Sequence, residues 1–380
     1  MDATMTCPDC GTCCDRAALI CQACGFAFQS KSSEESDSVA LKADTLIACS
    51  NCGSECDGTA LMCHVCSFAF HSNTSEESDA ATLKVGTLLR GGKYRIEKSF
   101  GQGGFGITYK ACAVNSGTDV AIKELFIKDK SWRDGKNVTT GGGYRQEFAE
   151  DRQRFLQEAE TLRQLRFGNP NPAGIVDVRE CFDENNTAYM VMEYVKGKSL
   201  EELVVENGGP LPEAQAVHIL VEVANALKFV HSRNLLHRDV KPQNIIIRDD
   251  SRQPVLIDFS CAKTFQKGES QKYTRDITEG YSPLELYAGE GRFDCVADVY
   301  SLAATGFFAL TGASPPTAVD LLRGVDLEQS VQFPSNVSDH IRQTIRWGMQ
   351  MNVNERPETA HTFAQALLGI DDAPPTGIAT

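Results

Sequence analysis

From Tyr94 onward the chain alternates apolar and polar positions, and that alternation predicts strands. Ile107-Thr108-Tyr109-Lys110-Ala111 reads as one strand and Val120-Ala121-Ile122-Lys123 as an apolar second. Tyr189, Val191 and Glu193 mark a third that ends at Glu193-Tyr194-Val195. Before that third strand, the run from Arg154 to Leu162 changes to amphipathic helical spacing. Beyond Leu200 the helical period dominates, carried by Val217, Leu220, Val221, Val223, Ala224, Leu227 and Val230. It is interrupted once. Ile245-Ile246-Ile247 and Val255-Leu256-Ile257 read as two short strands, and Asp249, Asp250 and Ser251 supply the turn between them. Such a hairpin folds Asp258 back beside Asn244. The pattern is that of an α+β protein, β-rich first and mainly helical afterwards.

The first 92 residues follow a different rule. Cys7, Cys10, Cys21 and Cys24 return as Cys49, Cys52, Cys63 and Cys66, each 42 residues later. Phe26-Ala27-Phe28, Ser33-Glu34-Glu35-Ser36-Asp37 and Thr45-Leu46 return at the same shift, so an internal duplication is the simplest account. Each copy holds two C-x-x-C pairs separated by ten residues, which offers four thiolates from two hairpin knuckles to one tetrahedral zinc ion. Each copy resembles a zinc ribbon, at 5–28 and 47–70, and two structural Zn2+ sites are expected. A unit this small has too little apolar core to fold alone, so metal binding and folding should coincide. Cys13, Cys14 and Cys56 are read as non-ligands. The Ser, Glu and Asp-rich stretches leave 29–46 and 71–92 as linkers. Redox dithiols are the competing reading, but no thioredoxin-like alternation of strands and helices surrounds these cysteines.

Of 15 Cys in the chain, eleven precede residue 70 at metal-ligand spacing, which favours zinc over disulfides. A net charge of -14 argues against general nucleic-acid or anionic-membrane binding. Residues 1–92 carry five Lys or Arg against twelve Asp or Glu, so the ribbons are expected to face a protein partner rather than nucleic acid. No basic head with an apolar core opens the chain, and the apolar run from Leu302 to Leu310 is too short to span a bilayer. A cytoplasmic protein without a membrane segment is expected.

The stretch from His237 to Ser260 concentrates the chemistry. It places Asp239, Asn244 and Asp258 at the ends of the short apolar hairpin, with Lys241 two residues after Asp239, in the pattern H-R-D-x-K-P-x-N. That is a metal-phosphate site in outline, and the segment resembles the catalytic loop and metal-binding turn of the protein-kinase family. Lys241 is the form found in serine/threonine kinases. The resemblance implies a bilobal kinase-like fold over 93–368, with a small lobe at 93–195, a large lobe at 196–368 and a flexible tail at 369–380. It also implies that Asp239 accepts the proton of a protein Ser or Thr hydroxyl while Lys241 sits near the transferred phosphate. Asn244 and Asp258 ligate magnesium (or manganese), with ATP as phosphoryl donor.

Other motifs fall in the order the family uses. Gly101, Gln102, Gly103, Gly104, Phe105 and Gly106 lie between two strands rather than at a strand-to-helix junction. A dinucleotide fingerprint needs a helix at the third glycine, so a phosphate-covering hairpin is the better match. Lys123 is expected on the α- and β-phosphates, with Glu158 rather than Glu160 as its carboxylate partner. Thr108, Ala121, Met192, Glu193, Val195 and Ile246 are implied around the adenine, Met192 guarding the back of the pocket. Thr278, seven residues before Glu285, matches the threonine that bonds the catalytic Asp and Lys. Thr274, eleven before it, is the candidate phosphosite, ahead of Thr264, Ser270 and Tyr273. Ser282-Pro283-Leu284-Glu285 stands where the family has A-P-E, with Arg356 as ion-pair partner and Asp298 as anchor of the catalytic loop. Two features depart from the common pattern: Ser260 replaces glycine after Asp258-Phe259, and an insertion separates Lys123 from Glu158, similar to a bacterial subgroup of eukaryotic-like kinases. The expected function is a serine/threonine protein kinase that also phosphorylates itself, the alternative a pseudokinase scaffold or zinc-ribbon interaction protein without turnover.

Overall fold

The computed structural model describes residues 81–104, 106–164, 174–259, 277–287 and 294–370, together with the backbone of short strands within 4–57 and 263–292. It divides into two units, Met1–Asn73 and Thr74–Thr380. In the first, β1 (Thr4–Thr6) pairs with β2 (Cys13–Asp15), Met5 opposite Cys14. β3 (Leu46–Ala48) pairs with β4 (Glu55–Asp57), Ile47 opposite Cys56. The two hairpins thus share one register at the 42-residue shift, and the first C-x-x-C of each copy falls in the connection between their strands. Cys7, Cys10, Cys21, Cys24, Cys49, Cys52, Cys63 and Cys66 themselves lie outside the described residues.

In the second unit the strands form an antiparallel six-stranded sheet. Its members are β5 (Leu88–Leu89), β6 (Tyr94–Gln102), β7 (Gly106–Ala113), β8 (Thr118–Leu125), and, after an insertion, two more. The insertion folds as a hairpin, β9 (Ser131–Asp134) with β10 (Asn137–Thr140), and leads into helix α1 (Arg145–Gln164). β11 (Val178–Glu184) and β12 (Thr187–Glu193) complete the sheet in the order β11-β12-β8-β7-β6-β5. Phe148, Phe155, Ala159 and Leu162 recur at helical spacing and bury one face of α1 against β11 and β12. Two differences from the sequence reading stand out. β12 is buried on both faces through Met192 instead of alternating. β5 and the buried Leu83 lie within a segment read as linker, because Leu83 and Leu89 complete the core beneath the sheet.

The large lobe opens with β13 (Gly197–Ser199) and α2 (Leu200–Glu206), whose start is fixed by a capping box between Ser199 and Glu202. Helix α3 (Glu213–His231) buries Ile219, Leu220, Val223, Ala224, Leu227 and Val230. After β14 (Leu235–Leu236) come the two strands of the expected hairpin, β15 (Ile245–Arg248) and β16 (Pro254–Leu256), with Ile245 opposite Leu256. The segment after Asp258 contributes β17 (Lys263–Thr264), paired with β14, and β18 (Ser270–Lys272), which pairs with β19 (Glu290–Arg292) beyond the four-residue helix α4 (Leu284–Tyr287). Helix α5 (Val296–Thr311) is buried from Ala297 to Leu310 and forms the axis of the lobe. Gly306 permits its close approach to α3, since a Cβ there would lie 2.8 Å from Leu220 Cδ1. No helix among the described residues is long and apolar enough to cross a membrane.

Candidate active site

Strand alternation on β8 sends consecutive side chains to opposite faces. Lys123 is nearly buried, and its ammonium forms an ion pair with a carboxylate oxygen of Asp258, which brings the two distant motifs into one cleft. Thr108 stands opposite Lys123 on β7, and Met192 stands opposite Ala121 on β12, so these four positions lie on three adjacent strands of one sheet. The glycine-rich turn is closed by the Gly103 amide, which donates to the Gly106 carbonyl at 2.8 Å. Gly106 has to be small: a Cβ there would come within 2.5 Å of the Glu124 carbonyl and 3.3 Å of Lys123 Cε. Gly101, Gln102, Gly103 and Gly104 are exposed, and Phe105 lies outside the described residues.

The Asp239 carboxylate is held at both oxygens. Asp239 Oδ2 accepts from Asn244 Nδ2 and from Lys241 Nζ, both at 2.8 Å, and Oδ1 accepts from Thr278 Oγ1 at 2.8 Å. Lys241 Nζ also donates to Thr278 Oγ1 at 3.3 Å. Asn244 spends its amide hydrogens on Asp239, including the main-chain oxygen at 2.8 Å, which leaves its amide oxygen as the side chain's acceptor. The Ile257 amide donates to the Asn244 carbonyl at 2.8 Å, fastening the two ends of the hairpin together. Arg238 and Asp258 adopt left-handed backbone, with φ of 66° and 59°. Strain of this kind persists only where the surroundings hold it.

For Arg238 that support comes from Asp298, fully buried on α5. Its Oδ1 accepts from the Arg238 amide at 2.7 Å, and its Oδ2 accepts from the His237 amide at 2.9 Å and from His231 Nε2 at 2.8 Å. Burial alone would raise the Asp298 carboxyl, but the hydrogen bond and charge of His231 hold it below the usual carboxylate range. His237 is lowered by its own burial and stays neutral. His231 was not singled out in the sequence. The signal that could have found it is a histidine at the end of an apolar helix, six residues before His237.

Further out, Arg356 makes a bidentate pair with Glu285 at 2.7 and 3.1 Å, so the residues expected to pair do meet. Glu193, at the end of β12, binds Arg248 at 2.7 Å, and Val195 and Met192 are buried beside it while Ile246 is half-buried. Glu158 is half-buried on α1, and Glu160 instead pairs with Arg163 at 2.7 Å, which lowers its carboxyl to about 2. Thr274 and Ser260 lie outside the described residues. The sequence also passed over Glu124 and Arg133, an ion pair at 2.6 Å between side chains with almost no exposed surface. A carboxylate directly after Lys123 in an apolar strand was the available signal, because a charge there needs a buried partner.

The donor set suits a hard cation. Among the described residues no three His, Cys, Asp or Glu side chains form a metal cage. Asn244 and Asp258 offer two oxygen ligands beside an ammonium, the arrangement that binds magnesium through one or two protein ligands plus phosphate oxygens. A β-sheet lobe and a helical lobe thus meet at this cleft. The protein kinase domain family matches residues 94–368, and the chain belongs to it. It is 30% identical over 283 residues to serine/threonine-protein kinase D of Synechocystis, covering 72% of this chain and 52% of that protein. It is 29% identical over 293 residues to serine/threonine-protein kinase PknA of Nostoc, covering 75% and 48%. The chain thus spans about half the length of these relatives. Among solved structures, the PpkA-294 apo form superposes with a TM-score of 0.60 at 24% identity, over 75% of this chain and 99% of that one. The Mycobacterium tuberculosis PknI kinase domain gives 0.53 at 21%, over 76% and 100%. These likenesses concern the fold.

Proposed function

We infer that the chain is a serine/threonine protein kinase that moves the γ-phosphoryl group of ATP to a protein hydroxyl. The carrying observation is the Asp239 carboxylate, fixed by Thr278, Asn244 and Lys241 in a cleft where Lys123 and Asp258 meet. Asp239 receives the hydroxyl proton as the new oxygen to phosphorus bond forms and the bond to the β-γ bridging oxygen breaks. Lys241 neutralises charge on the group in transit, and Lys123, held by Glu158, takes the α- and β-phosphates. Asn244 and Asp258 hold the magnesium ion, which supplies charge neutralisation at the phosphates when bound. Ala121, Met192, Glu193, Val195 and Ile246 receive the adenine. Autophosphorylation is assigned to Thr274.

The two N-terminal copies are zinc ribbons that dock a protein or regulate the kinase. Their support is the duplicated C-x-x-C pattern and the shared register of the two hairpins. The kinase reading is tested by incubating the purified chain with labelled ATP and magnesium beside an Asp239→Asn control. The variant should lose activity by about 100-fold or more, the usual contribution of a positioned base. A wild-type chain that incorporates no more label than the variant overturns the reading.

A further inference from the structure

The side of β8 opposite Lys123 carries a polar network that the phosphoryl-transfer reading does not use. Glu124 is fully buried and four donors surround its carboxylate. Oε1 accepts from Arg133 Nη1 at 3.1 Å and from Tyr189 Oη at 2.8 Å. Oε2 accepts from Arg133 Nη2 at 2.6 Å and from Tyr109 Oη at 2.7 Å. Burial and the neighbouring carboxylate push both phenols up, so they remain donors. The network reaches outward to two elements added to the sheet. Arg133 belongs to the inserted β9-β10 hairpin, which is tied to the β11-β12 turn by the Val138 amide on the Asn185 carbonyl at 2.9 Å. The chain ahead of the sheet joins at two points: the Ala81 carbonyl accepts from Arg133 Nε at 2.6 Å, and the Leu83 amide donates to Tyr109 Oη at 3.1 Å.

We propose that Glu124 and Arg133 are positioning residues that couple the segment 81–83 to Lys123, so that engagement of this segment sets the lysine for the nucleotide phosphates. This rests on the kinase reading of the cleft. Lys123 and Glu124 are consecutive on one strand, so a shift that releases the carboxylate on one face displaces the ammonium on the other. The pair is 3% and 0% exposed, which leaves water unable to replace a lost partner. Coupling between two sites is reciprocal, so a nucleotide on Lys123 must in turn tighten residues 81–83.

The test uses the full-length chain as wild type, Tyr109→Phe and Arg133→Lys. Tyr109→Phe keeps the packed ring and deletes the hydroxyl that joins Leu83 to Glu124. Arg133→Lys keeps the charge and gives up the fork. Hydrogen exchange at the Leu83 amide is followed with and without magnesium ADP, and ADP affinity is titrated directly. ADP should slow Leu83 exchange in the wild type. Both variants should abolish that slowing and weaken ADP by about fivefold or more. A wild type that binds ADP without any change at Leu83 overturns the proposal by itself, whether or not a variant folds, and so does a Tyr109→Phe chain that binds ADP as tightly as the wild type. A wild type that binds no ADP overturns the kinase reading and this coupling with it.

Discussion

His237 illustrates how one side chain ties stability to the catalytic loop. Its Nε2 donates to the Ile257 carbonyl at 3.0 Å and its Nδ1 accepts from the Asp239 amide at 3.3 Å, which fixes a neutral tautomer. Burial lowers its pKa from 6.5, against the opposing pull of Asp298, Asp239 and Asp258. The unfolded chain therefore takes up a proton before the folded one does, and stability rises with pH over that interval. The contribution is complete above about 6.5 and is lost as pH falls toward the folded value, at up to about 1.4 kcal/mol per pH unit. Denaturant unfolding at pH 7.5 and 5.5 should show the loss, and His237→Gln should flatten it; an equal slope in both chains would remove His237 as the cause. At this scale the sequence was informative where chemistry demands fixed spacing. Asp239, Lys241 and Asn244 could be grouped by their set spacing ahead of the hairpin, and Thr278 joined them only through its resemblance to the family threonine seven residues before Glu285. Glu124 and Arg133 could not be paired from spacing, since the insertion between β8 and α1 brings them together only through its hairpin.

Elements matter through what fastens them. Arg356 uses every donor it has: two bonds to Glu285, one to the Gln350 carbonyl at 2.6 Å, and longer ones to the Val296 and Met351 carbonyls, with its guanidinium over the Tyr300 ring. It therefore holds α4, the start of α5 and the 350–351 turn to one another. Its side chain is 0% exposed, so Arg356→Ala strands Glu285 in a mostly dry site and should cost about 3–5 kcal/mol in chemical denaturation. The double variant with Glu285→Ala should recover part of that loss; strictly additive losses would show that the pair is not coupled. Helix α3 was legible from its period, because it buries one continuous face, whereas α5 is buried all round and has no period to read. β5 was not: two residues give no alternation to read, and its place at the sheet edge comes from Leu89 entering the core.

For the molecule as a whole, the division into Met1–Asn73 and Thr74–Thr380 sets two kinds of stability side by side. The second unit has a continuous apolar core running from Leu83 through the sheet to Leu367. The first repeats a ribbon of 24 residues, at 5–28 and 47–70, below the roughly 40 residues under which apolar burial alone seldom sustains a fold. Zinc at four thiolates supplies about 10–16 kcal/mol in such modules, enough to decide folding by itself. The full chain should therefore purify with two zinc ions, and Cys7→Ser with Cys10→Ser should remove one of them without touching the other. A strong chelator, in the absence of nucleotide and magnesium, should abolish the structure of the first unit while the thermal transition of the second stays within about 2 °C, since among its described residues no three His, Cys, Asp or Glu side chains form a metal cage. Less than one zinc per chain after preparation under reducing conditions would reject the ribbon assignment and leave the kinase unit as it stands. The duplication is what points to such modules, because cysteine spacing survives copying. It said nothing of what they bind, because docking depends on exposed side chains that spacing does not constrain.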